Sequence, residues 1–116
     1  MDEFDIPIFR KTYDLYKKVY AIRKQVPKQD RFTLWQKLDN TILMLIEYIL
    51  HASSLYKEEK LPTLEQASSK LNVLRILVRL AYDIKSIDNK KYTALQQDID
   101  EIGRMLGGWI KSTKSH

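Results

Sequence analysis

Apolar residues recur every three or four positions along almost the whole chain, and that spacing predicts helices rather than strands. Over 7–26, Phe9, Tyr13, Tyr16 and Tyr20 form one stripe, with Leu15, Val19, Ile22 and Val26 beside it. Pro7 suits the first turn of this helix, where its missing N–H costs little. Pro27 ends the helix, because the residue before a proline is pushed out of the α region. A second helix over 31–57 follows from Phe32, Trp35, Leu38, Ile42, Leu45, Ile46, Ile49 and Leu50, with Asp30 as its N-cap. Between Ile42 and Leu50 only Glu47 is charged, so apolar surface nearly encircles the helix. That pattern predicts burial against the bundle on one side and against a second subunit on another.

Thr63 and Gln66 fit a capping box and predict a third helix over 63–86. It runs on through Ala67, Leu71, Leu74, Leu77, Val78 and Ala81. A short connection around Ser86–Asn89 leads to a fourth helix over 90–111, in which Tyr92, Leu95, Ile99, Ile102, Leu106 and Trp109 mark a bundle seam. Short connections between successive helices predict an all-α fold, an up-down-up-down antiparallel four-helix bundle occupying 1–116 as one domain. All three glycines, Gly103, Gly107 and Gly108, fall inside the fourth helix. Each costs about 1 kcal/mol there relative to alanine, so close packing against another backbone is expected, with Trp109 and Ile110 as apolar anchors.

Composition narrows the chemistry. The 116 residues contain no cysteine, which excludes disulfides, thiolate catalysis and cysteine-based zinc sites. The acidic start, Met1 to Asp5, lacks an apolar segment, and the run Ile42–Ile46 is too short to span a bilayer. A soluble, cytoplasmic protein without a membrane role is expected. The net charge is +5, and it is unevenly distributed. Residues 7–29 hold Arg10, Lys11, Lys17, Lys18, Arg23, Lys24 and Lys28 against Asp14 alone, a surplus larger than that of the whole chain. Such asymmetry points to an anionic partner for the first helix, although a charged face can also be simply solvated.

No catalytic constellation emerges. The only histidines are His51 and His116, and His51 has Glu47 four positions before it but no matching second motif for a di-metal site. Ser53 and Ser54 lack an orienting acid. Asp98, Asp100 and Glu101 lie early in the fourth helix, where they complement its dipole. No catalytic residue, metal ligand or cofactor is therefore assigned. Tyr13, Tyr16 and Tyr20 could stack on unpaired bases, but their spacing favours core packing. The candidate nucleic-acid contacts are Arg10, Lys11, Lys17, Lys18, Arg23, Lys24 and Lys28, followed by Arg75, Arg79 and Arg104. For Arg75 and Arg79 a purely structural role is the stronger reading, because Arg79 can pair with Asp83 at i,i+4.

Several segments together resemble one known family. Ile6-Pro7-Ile8-Phe9 with Tyr13-Asp14-Leu15, Pro27-Lys28 with Arg31-Phe32-Thr33-Leu34, Leu74-Arg75 with Arg79-Leu80-Ala81, and above all Gly103-Arg104-Met105-Leu106-Gly107-Gly108-Trp109-Ile110-Lys111 are similar to the accessory variability determinant (Avd) proteins of diversity-generating retroelements. The four-helix proteins encoded in intervening sequences of 23S ribosomal RNA genes are broader relatives. Their Ser-Ile-x-x-Asn-Ile-Ala-Glu-Gly stretch is replaced here by Thr41-Ile42-Leu43-Met44-Leu45-Ile46-Glu47, which favours the Avd branch. The resemblance implies a four-helix bundle that forms a cyclic homopentamer, binds RNA and DNA, and associates with the retroelement reverse transcriptase. Such a protein supports mutagenic cDNA synthesis and retrohoming without catalysis of its own. The alternative is an oligomeric protein-interaction scaffold of the intervening-sequence type with no direct nucleic-acid role.

Overall fold

A computed structural model describes residues 2–115, so His116 lies outside the described residues. After a 3-10 turn, Glu3–Asp5, come α1 (Pro7–Arg23), a single turn α2 (Lys28–Arg31), α3 (Leu34–Ser54), α4 (Lys57–Asp83) and α5 (Asn89–Lys114). The four long helices form an all-α four-helix bundle. α1 packs on α3 and α5, α3 on α4, and α4 on α5, which leaves α1 and α4 diagonally opposed. Only Leu55 and Tyr56 separate α3 from α4. Two residues reach at most about 7 Å, far short of a helix length, so the pair must be antiparallel.

The core follows most of the expected stripes, although Phe32 and Leu50, expected on the stripe of the second helix, are exposed. Leu15 and Val19 of α1, Trp35, Leu38, Ile42, Leu45 and Ile49 of α3, Leu64, Leu74 and Val78 of α4, and Leu95, Ile99, Ile102 and Leu106 of α5 are buried. Trp35 also donates its indole N–H to Ser86 Oγ at 2.8 Å, tying α3 to the α4–α5 turn. No buried side-chain nitrogen or oxygen among the described residues lacks a partner.

Several boundaries differ from the sequence expectation, each for a local reason. α1 ends at Arg23 rather than 26, and the guanidinium of Arg31 reaches back to the carbonyls of Lys24 at 2.9 Å and Val26 at 3.2 Å. Asp30 lies within α2 and does not cap the next helix. The Thr33 hydroxyl likewise turns back, to Gln29 O at 3.1 Å, so the chain breaks at Phe32–Thr33 before α3. α4 begins at Lys57 instead of at Thr63, which is buried inside the helix. Glu58 and Glu59 favour this earlier start by complementing the helix dipole, even though Pro62 removes one hydrogen bond from the second turn. α4 ends at Asp83, short of 86. α5 starts where Asp88 Oδ1 accepts from Lys91 N at 2.9 Å and runs on to Lys114, beyond 111.

The glycines also need a revised account. A Cβ at Gly103 would lie 3.4 Å from Arg75 Nη2 and 3.5 Å from Leu71 Cδ2, which is contact with α4. A Cβ at Gly107 or Gly108 would meet nothing beyond its own stretch of helix within 4 Å, so tight packing inside the bundle does not account for them.

One carboxylate holds the cationic helix in place. Asp98 of α5 is buried and accepts Lys18 Nζ at 2.7 Å and Lys11 Nζ at 3.3 Å, while Lys11 also meets Glu101 at 2.9 Å. The hydrogen bond that Lys11 donates to Glu101 raises the Lys11 pKa above its ordinary 10.5, against the opposing effect of desolvation and with further help from Asp98.

Two predictions follow from these contacts. Lys85 holds a left-handed φ of 65° at the end of α4, where Ser86 N bonds Ala81 O at 2.8 Å and Lys85 N bonds Tyr82 O at 3.0 Å. Glycine is the favoured residue at this position of such a helix stop. Lys85→Gly is expected to stabilise the chain by about 0.5–1 kcal/mol in urea denaturation, and no gain would refute the strain. A raised folded-state pKa means that the contribution of Lys11 is complete below 10.5 and disappears as pH climbs through the elevated value. The urea midpoint should therefore fall above pH 10.5, and Lys11→Met should reduce that fall; an unchanged slope would rule the clamp out.

Candidate nucleic-acid interface

The ten candidate cations divide into those that hold the fold together and those that face outward. Lys11 belongs to the Asp98 clamp, and Lys18 shares it with about half of its side chain still exposed. Arg23 is committed to the α1–α3 connection. It donates from Nε to Arg31 O at 3.0 Å and from Nη2 to Gln36 Oε1 at 2.7 Å, and it lies 3.8 Å from Asp39. Arg75 is paired with Asp100 across the α4–α5 interface. Arg79 bonds Asp83 at 3.0 Å, and its pKa is raised by that hydrogen bond and by Tyr92.

The outward group lies mainly on α1. Arg10 is exposed, with a loose 3.6 Å contact to Asp14. Lys17 sits over the Tyr13 ring at 5.9 Å, and Lys24 sits over the Tyr20 ring at 4.6 Å. Tyr13, Lys17, Tyr20 and Lys24 fall within about 60° of one another around the helix, a single strip in which aromatic and cation alternate. Lys28 is exposed just beyond, in α2. Arg104 is exposed on α5, where it lines a groove with Ser68, Asn72, Arg75 and Asp100. Because α4 stands diagonally across from α1, Arg75 and Arg79 do not share the surface of Lys17 and Lys24.

The tyrosines are not core residues in the way their spacing suggested. Phe9 is buried and Tyr16 half-buried, but Tyr13 and Tyr20 are exposed at the edge of the stripe. The Tyr16 pKa is raised above 10.0, chiefly by a hydrogen bond with Asp39 and also by burial. Asp39 also lies 3.8 Å from Arg23. Two features were missed in the sequence. Arg31 and Phe32 complete the cationic end of α1, and Val73, Ile76, Leu80 and Ile84 form an exposed apolar strip on α4. A second +3/+4 series running beside the Leu71–Leu74–Val78 core stripe is the signal that could have revealed the strip.

Among the described residues no group of three or more histidine, cysteine or acidic side chains could hold a metal ion. No described helix is long and apolar enough to cross a membrane. Among curated proteins, none matches the chain. A family model described as bAvd-like matches residues 7–113, which take in the four long helices except the last residue of α5, and include its glycine-containing segment. The chain therefore belongs to the bAvd-like (accessory variability determinant) family, with a non-enzymatic accessory role linked to diversity-generating retroelements.

Proposed function

We propose that the chain carries out this accessory role by binding RNA and DNA through α1 and by associating with the retroelement reverse transcriptase in the cytoplasm, in support of mutagenic cDNA synthesis. The observation that carries the nucleic-acid reading is the exposed strip Tyr13-Lys17-Tyr20-Lys24, continued by Lys28. Lysine ammoniums on a solvent-facing helix can replace the counterions of a phosphate backbone without a preformed pocket. Arg10 and Lys18 add to this surface, whereas Lys11, Arg23 and Arg75 serve chiefly to hold the fold; Arg79 is paired within α4, and Arg104 lies in the α4–α5 groove beside Arg75, apart from the strip.

Assembly into a cyclic homopentamer is the second part of the proposal. It is supported by family membership and by the α4 strip, where Ile76 is 66% exposed and flanked by Val73, Leu80 and Ile84. Leu43, Met44 and Leu50 of α3 are exposed as well, so the excess apolar surface expected of the second helix extends over two helices. A ring would repeat the modest cationic strip and raise its avidity for a long polyanion.

Replacing Lys17, Lys24 and Lys28 together with glutamine should lower RNA affinity and reduce the slope of log affinity against log salt by about 2–3, roughly 0.7–0.9 for each lost contact. An unchanged slope in a filter-binding salt series would remove α1 as the interface. Tight reverse-transcriptase binding without any nucleic-acid affinity would instead favour the scaffold reading. Ile76→Glu with Leu80→Glu should convert the oligomer to monomers in sedimentation velocity with the helical circular dichroism retained. Persistence of the oligomer would place the subunit contact elsewhere.

A further inference from the structure

Phe32 is 70% exposed and Tyr20 is 53% exposed, although both are large aromatic residues beside a well-filled core. Phe32 is nonetheless not on a loose loop. The residue before it, Arg31, accepts Arg23 Nε at its carbonyl and donates its own guanidinium to Lys24 O and Val26 O. The following residue, Thr33, is bonded to Gln29 O. The backbone is thus held on both sides of the ring, and the ring is presented outward in a set position.

Cations accompany both rings. The Arg23 guanidinium lies 5.9 Å from the Phe32 centroid, and Lys24 Nζ lies 4.6 Å from that of Tyr20. Tyr16, Tyr20, Arg23, Lys24, Arg31, Phe32 and Asp39 line one open groove between α1 and α3. Its single acid, Asp39, is nearly buried and lies 3.8 Å from the Arg23 guanidinium. Between Tyr16 and Phe32 the chain has six cations, Lys17, Lys18, Arg23, Lys24, Lys28 and Arg31, against Asp30. The groove therefore combines apolar π-faces with a positive rim, a combination suited to a ligand that is flat and aromatic on one side and anionic on the other.

We infer that this groove is a stacking subsite for unpaired nucleobases, with Tyr20 and Phe32 as the platforms and Lys17, Lys24 and Lys28 holding the neighbouring phosphates. The inference rests on the nucleic-acid reading above and adds to it a preference for single strands. In a duplex each base is already stacked and its face is unavailable, so a phosphate-only surface would favour the duplex for its denser charge, whereas this groove favours the unpaired strand. An acidic protein segment could satisfy the cations. It would leave the two outward rings without the planar partner that their presentation favours.

The test uses the full chain with a short single-stranded RNA containing 2-aminopurine, its duplex, and an abasic strand with the same number of phosphates. The wild type should quench 2-aminopurine fluorescence and bind the base-bearing strand more tightly than the abasic one. Tyr20→Ala with Phe32→Ala should weaken single-strand affinity by at least about 5–150-fold, the range for each stacked base lost, and should abolish quenching. Affinity for the duplex and for the abasic strand should be unchanged, and Tyr20→Phe with Phe32→Tyr should retain binding. A wild type that binds abasic and base-bearing strands equally overturns the inference while leaving phosphate binding intact. Loss of reverse-transcriptase binding in the alanine variant, with single-strand affinity unaltered, overturns it in favour of a protein partner. Failure of the wild type to bind any strand overturns both readings. Both rings are largely exposed, so the variants are expected to remain folded, and urea denaturation checks this.

Discussion

The most cationic helix of this protein can lie against the bundle because α5 offers Asp98 to it from a buried position. Apolar contacts from Leu15 and Val19 bring α1 to the core, but those contacts do not determine which cations turn inward. Asp98 does, by drawing Lys11 and Lys18 toward α5. Removing either partner of such a contact leaves a charge in a partly dry site, which is why a pair of this kind fixes orientation more than it adds net stability. With α1 set in that rotation, Lys17 and Lys24 point to solvent and Asp39 faces Arg23 and Tyr16.

A second consequence concerns the connection between α1 and α3. Arg23 and Arg31 each donate to a backbone carbonyl across the turn, and the carbonyls at the end of α1 would otherwise lack partners. The same contacts that close the helix also hold Phe32 in the open. Local helix termination and the aromatic surface of the groove are therefore one structural fact, and a change that loosened the turn would also disperse the groove.

Local information explains what could be read from the sequence. Periodicity identified Trp35, Leu38, Ile42, Leu45 and Ile49 as core because a helical stripe is determined by its own residues. It could not separate the buried Phe9 from the exposed Tyr13 and Tyr20, because residues at the edge of a stripe depend on where neighbouring helices lie. The Thr63 capping motif misled for a similar reason: its signal is confined to a few residues, while the earlier start at Lys57 follows from the tight α3–α4 hairpin. The surplus charge of α1 was evident, yet its division into inward and outward cations was not. Lys18 and Asp98 are separated by 80 positions, and no spacing rule connects them. Family membership was legible chiefly in the wording of the α5 segment, and the matched region extends over 7–113.

The outward and inward cations also differ in kind. Apart from Arg10, Arg104 and the two clamp lysines, the side chains engaged in the fold are arginines, Arg23, Arg31, Arg75 and Arg79, and the strip is made of lysines. A guanidinium is a rigid fork whose geometry a lysine cannot reproduce, whereas an ammonium is a hydrated point charge on a flexible stem. Substitutability therefore runs in opposite directions on the two sides of α1. The strip can exchange lysine for arginine, or shift a cation by a helical turn, and still present the same field to a polyanion. The turn at Arg23 and Arg31 has no such latitude, so in a drifting lineage the apparently generic basic residues that resist exchange are the ones already engaged inside the protein.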